Sequence, residues 1–536
     1  MNSVKRISER ITEVDKQKLV HWEPKDSYKS SIDALKLGSF VDANEEGFLP
    51  TSDAATNVTT MNRLLASSGT IIVSKPGEYK VNGRMVLHSN TTLVFAEGVI
   101  IKMASNCPYV LINAAAFKSD GSYDENIKVI GYHLNTNGFN NSCGISGLRG
   151  YLTFFHVKHV YVSDVRCMWY KAHIFFMHCC DWEDVEFANC FVIGDKDAFH
   201  FGRGFNGYLH DLTICAVDDS IALNAWDFAD SNPQIGDIHD VLIENIVELP
   251  HYYNVNSEYN ITLGYTTRFL NGSWLPWTSG MEVQHSTPVT YKNNIYRVIN
   301  LQQKTAISTA TPSEGVGTDG IQWRKEASGD NLGCCCYNIE LRNIISYQTK
   351  NEGNFGFNAI NEVDHKSWVE GATPHPNHDI HFSNIQVYDN NSTIFNIQGD
   401  VDNVYVDNSI LDVSTLANGL IYMNPRFKNE NFTKVPTFSF YDSLYIIGDS
   451  SVIVKSTSSN RDAITLNYRG VRLSSDKSKL VYTENTTVNT VKDYDFPKYI
   501  GTHVNIGDCK FSTTLNKPIW WNGKSWVNSD GEVVHK

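Results

Sequence analysis

Charge is scarce in this sequence. Asp, Glu, Lys and Arg together make up 19% of its 536 residues, and the balance is negative, with a formal net charge of −14. Such a chain has no general attraction for a phosphate backbone or an anionic bilayer, so nucleic acid and membrane surfaces are excluded as partners. Long apolar runs are also missing: no stretch reaches the roughly 18 residues of a membrane span. The opening MNSVKRISERITEV has basic residues but no apolar core of a secretory signal. The expectation is therefore export by lysis or a dedicated machine.

Metal-binding cysteine spacings are lacking too. The 11 cysteines are odd in number, and Cys167, Cys179, Cys180, Cys190 and Cys215 fall in or beside strand-like segments, where they read as small apolar core residues. Cys334, Cys335 and Cys336 are consecutive, and neighbours on a strand point to opposite faces. With no CxxC partner, no metal site is assigned there, and no cofactor is expected.

What the chain does have is a repeat. Alternating apolar residues closing on Asn or Asp occur as HVYVSDV from His159, DVEFANC from Asp184, DVLIENI from Asp240 and NIYRVIN from Asn294. The pattern returns as NIELRNI from Asn338, DIHFSNI from Asp379 and NVYVDNS from Asn403. Alternation indicates strands, and a period of roughly 20 to 30 residues indicates a solenoid whose turns stack and share a core. The fold class expected is all-β, a right-handed parallel β-helix with a short N-terminal helix and a small C-terminal β module. An Asn at a fixed place in each turn would form a hydrogen-bonded ladder at a bend.

The same register brings carboxylates together. AHIFF from Ala172, DAFHF from Asp197 and DSIAL from Asp219 overlay with offsets of 197 − 172 = 25 and 219 − 197 = 22 residues. Asp197 then lies about 4.8 Å from Asp219, one strand spacing away, with Asp218 beside it. Crowded carboxylates cannot all ionise cheaply, which suits general acid and base chemistry on a glycosidic bond. Strict alternation, however, turns Asp197 and Asp219 inward with Phe199 and Ile221, so a bend beside each Asp is required. Otherwise these residues only cap turns. His200, opposite Phe199 and Phe201, should face outward to solvent or a groove. Trp226, Asp227 and His251 follow on loops of the same wall, Trp226 either stacking on a sugar or packing. Arg203, Arg324 and Lys325 could reverse the local field for an acidic sugar.

Four segments are expected: a helix and linker over 1–40, the β-helix over 41–415, a β-rich extension over 416–490 and a terminal module over 491–536. Val4, Ile7, Ile11 and Val14 are spaced 3, 4, 3, as in a coiled coil or a short amphipathic helix. Thr59–Gly69 reads as a helix capping the first coil, and the β-helix begins near Thr70. After Asn403 the register loosens. At the end, Trp520, Trp521 and Trp526 flank the Asn522-Gly523 pair of a hairpin.

GDKDAF followed by Asp218-Asp219 resembles the polygalacturonase-type glycoside hydrolases of family 28, in which NTDG is followed about 20 residues later by a DD pair. The resemblance implies inverting hydrolysis by Asp197, Asp218 and Asp219. The family's GHG is absent, His239 of GDIHDV standing near its place, and its RIK is replaced by WRKE with Arg324 and Lys325. Galacturonate is therefore not assigned. The more literal TDG at Thr318–Gly320 has no DD pair after it and reads as a turn. The segment Val41–Val81 looks like the opening of pectate-lyase-type β-helices in phage tail spikes, and TTLNKPIWWNGKSWV is similar to C-terminal segments of phage tail proteins. These likenesses imply a homotrimeric tail spike, assembled in the host cytoplasm, that cleaves a bacterial surface polysaccharide and contacts other phage tail proteins. A non-catalytic glycan-binding tail adhesin, a polysaccharide lyase and a monomeric extracellular glycosidase remain open.

Overall fold

In a computed structural model, the described residues are 40–107, 109–139, 147–169, 174–250, 264–302, 304–329, 333–347, 353–359, 375–388, 392–424, 435–446, 451–456, 463–474, 480–482 and 485–490, with 509–512, 517–521, 526–527 and 533–535 in the C-terminal segment. Val4, Ile7, Ile11 and Val14 lie outside them, as does Asn522-Gly523.

One sheet of 29 strands carries the architecture, and its strands pair in parallel. Three ladders run along it. At its centre the first ladder holds Phe199–Phe201, Ile221–Asn224, Thr267–Asn271 and Phe355–Ala359. The second and third are carried by longer strands that turn a corner, such as Phe175–Gly194, Gly204–Ala216 and Ile238–Glu248. Alternation explains the core: Phe199, Phe201, Ile221 and Leu223 are fully buried inside it. The chain is thus a parallel β-helix.

The recurrent Asn and Asp have a backbone reason. The coils from His159 to Asn408 each carry two left-handed residues five apart, for example Asp184 and Asn189 (φ +58° and +51°), Asp240 and Asn245 (+55° and +57°), and Asn338 and Asn343 (+59° and +57°). Asn and Asp tolerate this region best among residues with a side chain. Their side chains then bond from coil to coil: Asn206 to Asp184 at 2.9 Å, Asn343 to Asn245 at 3.1 Å and Asn384 to Asn343 at 2.8 Å.

Several details depart from the sequence reading. The helix spans Ala54–Leu65 and begins five residues before Thr59, because Asp53 caps it by accepting from the Thr56 N–H at 2.9 Å. The sheet starts before Thr70, since Phe40–Asp42 pairs with Thr70–Ile72. Met177 pairs with Phe199, so the offset preceding Asp197 is 199 − 177 = 22 residues; the 25-residue step lies one coil earlier, from Gly150 to Phe175. Asn294–Val298 is no coil: it lies in a five-stranded sheet, antiparallel to both Pro288–Tyr291 and Gln322–Ser328. That sheet belongs to an insertion after Thr267–Asn271. Beyond Asn403 the parallel pairing continues through Thr437–Tyr441 and Ile464–Arg469 to Thr486–Thr490. Four C-terminal strands form a separate antiparallel sheet.

Among the described residues, no helix is long and apolar enough to cross a membrane. Cys334, Cys335 and Cys336 are buried with free thiols, directed to the Ala225 carbonyl, Asp237 and the Leu223 carbonyl respectively.

Candidate active site

The third ladder hands the chain to the first at a corner, and the carboxylates sit there. Residues 195–198 and 217–220 are irregular bends between Gly194 and Phe199 and between Ala216 and Ile221, which is the turn that alternation required. Their strands are in register, so Asp197 lies level with Asp219 and Lys196 with Asp218. One carboxylate oxygen from each of Asp197, Asp218 and Asp219 falls within 4.8 Å of the others.

Cations hold this cluster together. Lys196 bonds Asp218 and stands 3.6 Å from Asp197. Arg268 places Nη1 3.0 Å from Asp219 Oδ2, while the Tyr265 N–H donates to Asp219 Oδ1 at 2.8 Å. Arg268 is the register partner of Ala222, whose small side chain stands between its strand and His200. Gly264 lets this segment close on the corner: it sits at φ +84°, and a Cβ there would come within 2.6 Å of the Asp218 and Asp219 backbone.

Asp197 is 3% exposed. Burial opposes its ionisation, but Lys196, the His200 hydrogen bond and Arg268 outweigh it and hold the carboxyl below the usual range. Asp218, at 19% side-chain exposure, is the most open of the three. Lys196 keeps its proton: burial disfavours the charge, and Asp197 and Asp218 more than restore it.

His200 does not face solvent, contrary to expectation. It is 1% exposed, stacked on Phe175 at 3.9 Å, with Nδ1 2.7 Å from Asp197 and Nε2 3.3 Å from Asp227. Alternation does place it outside the core, but residues 225–236 fold back over that face. Asn232 of this segment bonds the Asn224 carbonyl at 3.1 Å and His178 Nε2 at 2.9 Å. Asp227 joins the same network through Asn224 Nδ2 at 2.8 Å.

The other proposed sugar contacts lie elsewhere or inside. Trp226 is fully buried, and a Cβ on Gly272 would fall 2.1 Å from its ring, so it offers no face to a sugar. Arg203 donates to Asp181 at 2.7 Å and to the Glu326 carbonyl, away from the carboxylates. Arg324 and the buried Arg297 both bond Glu326, at 2.8 and 3.0 Å, and bracket the covering segment. Lys325 is exposed on the inserted sheet. His239 stacks between Phe205 and Tyr337 and bonds Asp240 at 2.7 Å. His251 lies outside the described residues. Asp319 of the TDG sequence accepts from the Thr309 and Ala310 N–H groups, both at 2.8 Å, as a turn residue does.

Lys196 and Arg268 are the residues that sequence reasoning missed. Lys196 was within reach, because it lies the same 218 − 196 = 22 residues before Asp218 that Asp197 lies before Asp219. Arg268 left no such trace.

No protein-family model matches the chain, and no curated protein matches it by sequence. Solved structures do. The tailspike protein of E. coli bacteriophage HK620, in complex with a pentasaccharide, superposes with a TM-score of 0.51 at 10% identity, covering 84% of this chain and 71% of that one. In fold, the chain resembles a phage tailspike. A mutant of the same tailspike gives 0.50 at 11% identity, over 82% and 67% of the two chains. A family 28 exopolygalacturonase of Yersinia enterocolitica, at 11% identity over 84% and 78%, reaches 0.48. At these identities the likeness is one of fold, a pectate-lyase-like β-helix.

Proposed function

We propose that the chain is a tail spike that hydrolyses glycosidic bonds of a bacterial surface polysaccharide, with Asp197, Asp218 and Asp219 as its acid and water-activating groups. The observation that carries this reading is the corner where these three carboxylates converge within 4.8 Å beside Lys196 and Arg268. Glycoside hydrolysis needs one carboxyl group to protonate the leaving oxygen and a second to activate water or attack. Asp197, held ionised, suits the water-orienting role; Asp218 and Asp219 share the acid and the second base. The HK620 tailspike's pentasaccharide supports a polysaccharide partner, and the likeness in fold to that tailspike supports a virion tail location; a homotrimer with other tail proteins as neighbours is part of the same proposal.

A lyase would need a neutral Lys or a comparable base. Lys196 is held as an ammonium by its carboxylates, so it is not that base. The inverting course is part of the proposal. The anomeric configuration of the first product, followed by NMR, decides between inversion and retention.

The deciding experiment is reducing-end release from a panel of purified bacterial capsular and O-antigen polysaccharides. The parent chain should release ends from at least one glycan, and Asp218→Asn or Asp219→Asn should lower the rate by about 10²–10⁴-fold. No release from a glycan that the parent binds would leave an adhesin. Ultraviolet-absorbing unsaturated ends would identify a lyase.

A further inference from the structure

The insertion after Thr267–Asn271 meets the β-helix at a cleft of about 500 Å³, whose lining includes Trp274, Trp277, Tyr291, Lys292 and His375. Its walls come from two sources. Trp274 leaves the end of the strand that carries Arg268, and its ring centroid lies 4.3 Å from that of His375, just ahead of the strand Asn377–Val387. Trp277 and Tyr291 belong to the insertion, with ring centroids 5.4 Å apart and planes at 76°. Trp277 is oriented by its Nε1–H, which donates to Ser308 Oγ at 2.8 Å. Tyr291 stands at a hairpin tip, where Lys292 and Asn293 are both left-handed (φ +50° and +58°), as a tight two-residue turn demands.

The size and lining of the cleft point to a ligand. It has the volume of a small-molecule site, and the rings of Trp277 and Tyr291 stand in it beside the polar side chains of Thr290, Lys292 and Asn293. A pyranose ring suits this mixture, since its face presents weakly positive C–H bonds to the negative face of an aromatic ring while its hydroxyls lie at the rim.

We propose that this cleft is a carbohydrate-binding subsite, separate from the carboxylate corner, in which Trp277 and Tyr291 hold a sugar ring and Lys292 and Asn293 flank its hydroxyls. Arg268 and Trp274 are 274 − 268 = 6 positions apart, a span of at most about 22 Å. One oligosaccharide can therefore reach from the cleft toward the corner. The assignment rests on the reading of a polysaccharide as the partner, but not on its cleavage.

The test uses the full chain with Asp218→Asn and Asp219→Asn, so that binding is read without cutting, on an array of bacterial capsular and O-antigen polysaccharides. For the glycan bound, Tyr291→Ala and Trp277→Ala should each weaken affinity by about tenfold or more, while Tyr291→Phe stays near the parent. Melting curves check that the variants are folded. Unchanged affinity in both alanine variants overturns the subsite, as does a parent that binds no glycan on the array. If the intact chain cuts nothing yet binds in a Tyr291-dependent way, the subsite stands and the hydrolase reading falls.

Discussion

Arg268 stands beside a carboxylate that has almost no water. Asp219 is fully buried, and its Oδ2 depends on the guanidinium 3.0 Å away. Removing one partner of such a pair leaves a stranded charge, a loss of about 3–5 kcal/mol. Arg268→Met should therefore lower the melting temperature markedly, and adding Asp219→Asn should recover much of the loss. A double variant no more stable than Arg268→Met alone would remove Asp219 from this account. His178 offers a second test, through pH. It accepts from the Arg149 N–H at 3.1 Å and donates to Asn232, and burial followed by the His200 charge pushes its pKa down to about 3. An unfolded His binds its proton near pH 6.5, so the folded chain loses stability as pH falls from there toward 3, by up to ~1.4 kcal/mol per unit. His178→Gln should flatten that slope in melts between pH 6.5 and 4, whatever it does to stability at neutral pH. The carboxylates were legible in the sequence because they recur at the coil period. His200 was misjudged because alternation reports which side of a strand a residue occupies and says nothing about a later segment folding over it.

The corner ladders are set by single residues with left-handed backbone. Asn343, at φ +57°, accepts from Asn384 and donates to Asn245. Alanine in that conformation is disfavoured by roughly 1–2 kcal/mol, and both side-chain bonds are lost as well. Asn343→Ala should thus melt lower than Asn343→Gly, which loses the bonds but keeps the backbone at ease. Equal melting of the two variants would show that the conformation is not what the residue provides. The coil strands could be read from sequence because six of the seven similar segments, each closing on Asn or Asp, do stack as coils. Asn294–Val298 imitates them for a plain reason: alternation with a polar end describes any half-buried strand, whether parallel or antiparallel. The helix start was missed because Asp53, its cap, precedes every apolar residue of the pattern.

At the scale of the molecule, the proposed trimer gives a direct check. Light scattering should return three times the chain mass and hold that value on dilution; a monomer would favour a free-standing glycosidase. Arg268 was beyond sequence reading because its strand pairs with Ile221–Asn224 across a step of 267 − 221 = 46 residues, far from the 22 of the neighbouring coil. Once the ladder exists, that distance disappears.

The inserted sheet has a consequence of its own. It enters after Asn271 and leaves before Cys336, yet Ile238 and Cys336 pair across 98 residues as regularly as Gly204 and Ile238 do across 34. The stack of coils is indifferent to what hangs from this step. The appendage's own contacts are less neutral: Arg297 bonds the Asp227 and Asn232 carbonyls and Glu326 accepts from the Ile235 N–H, so a shortened appendage would keep the ladder while loosening the cover over His200.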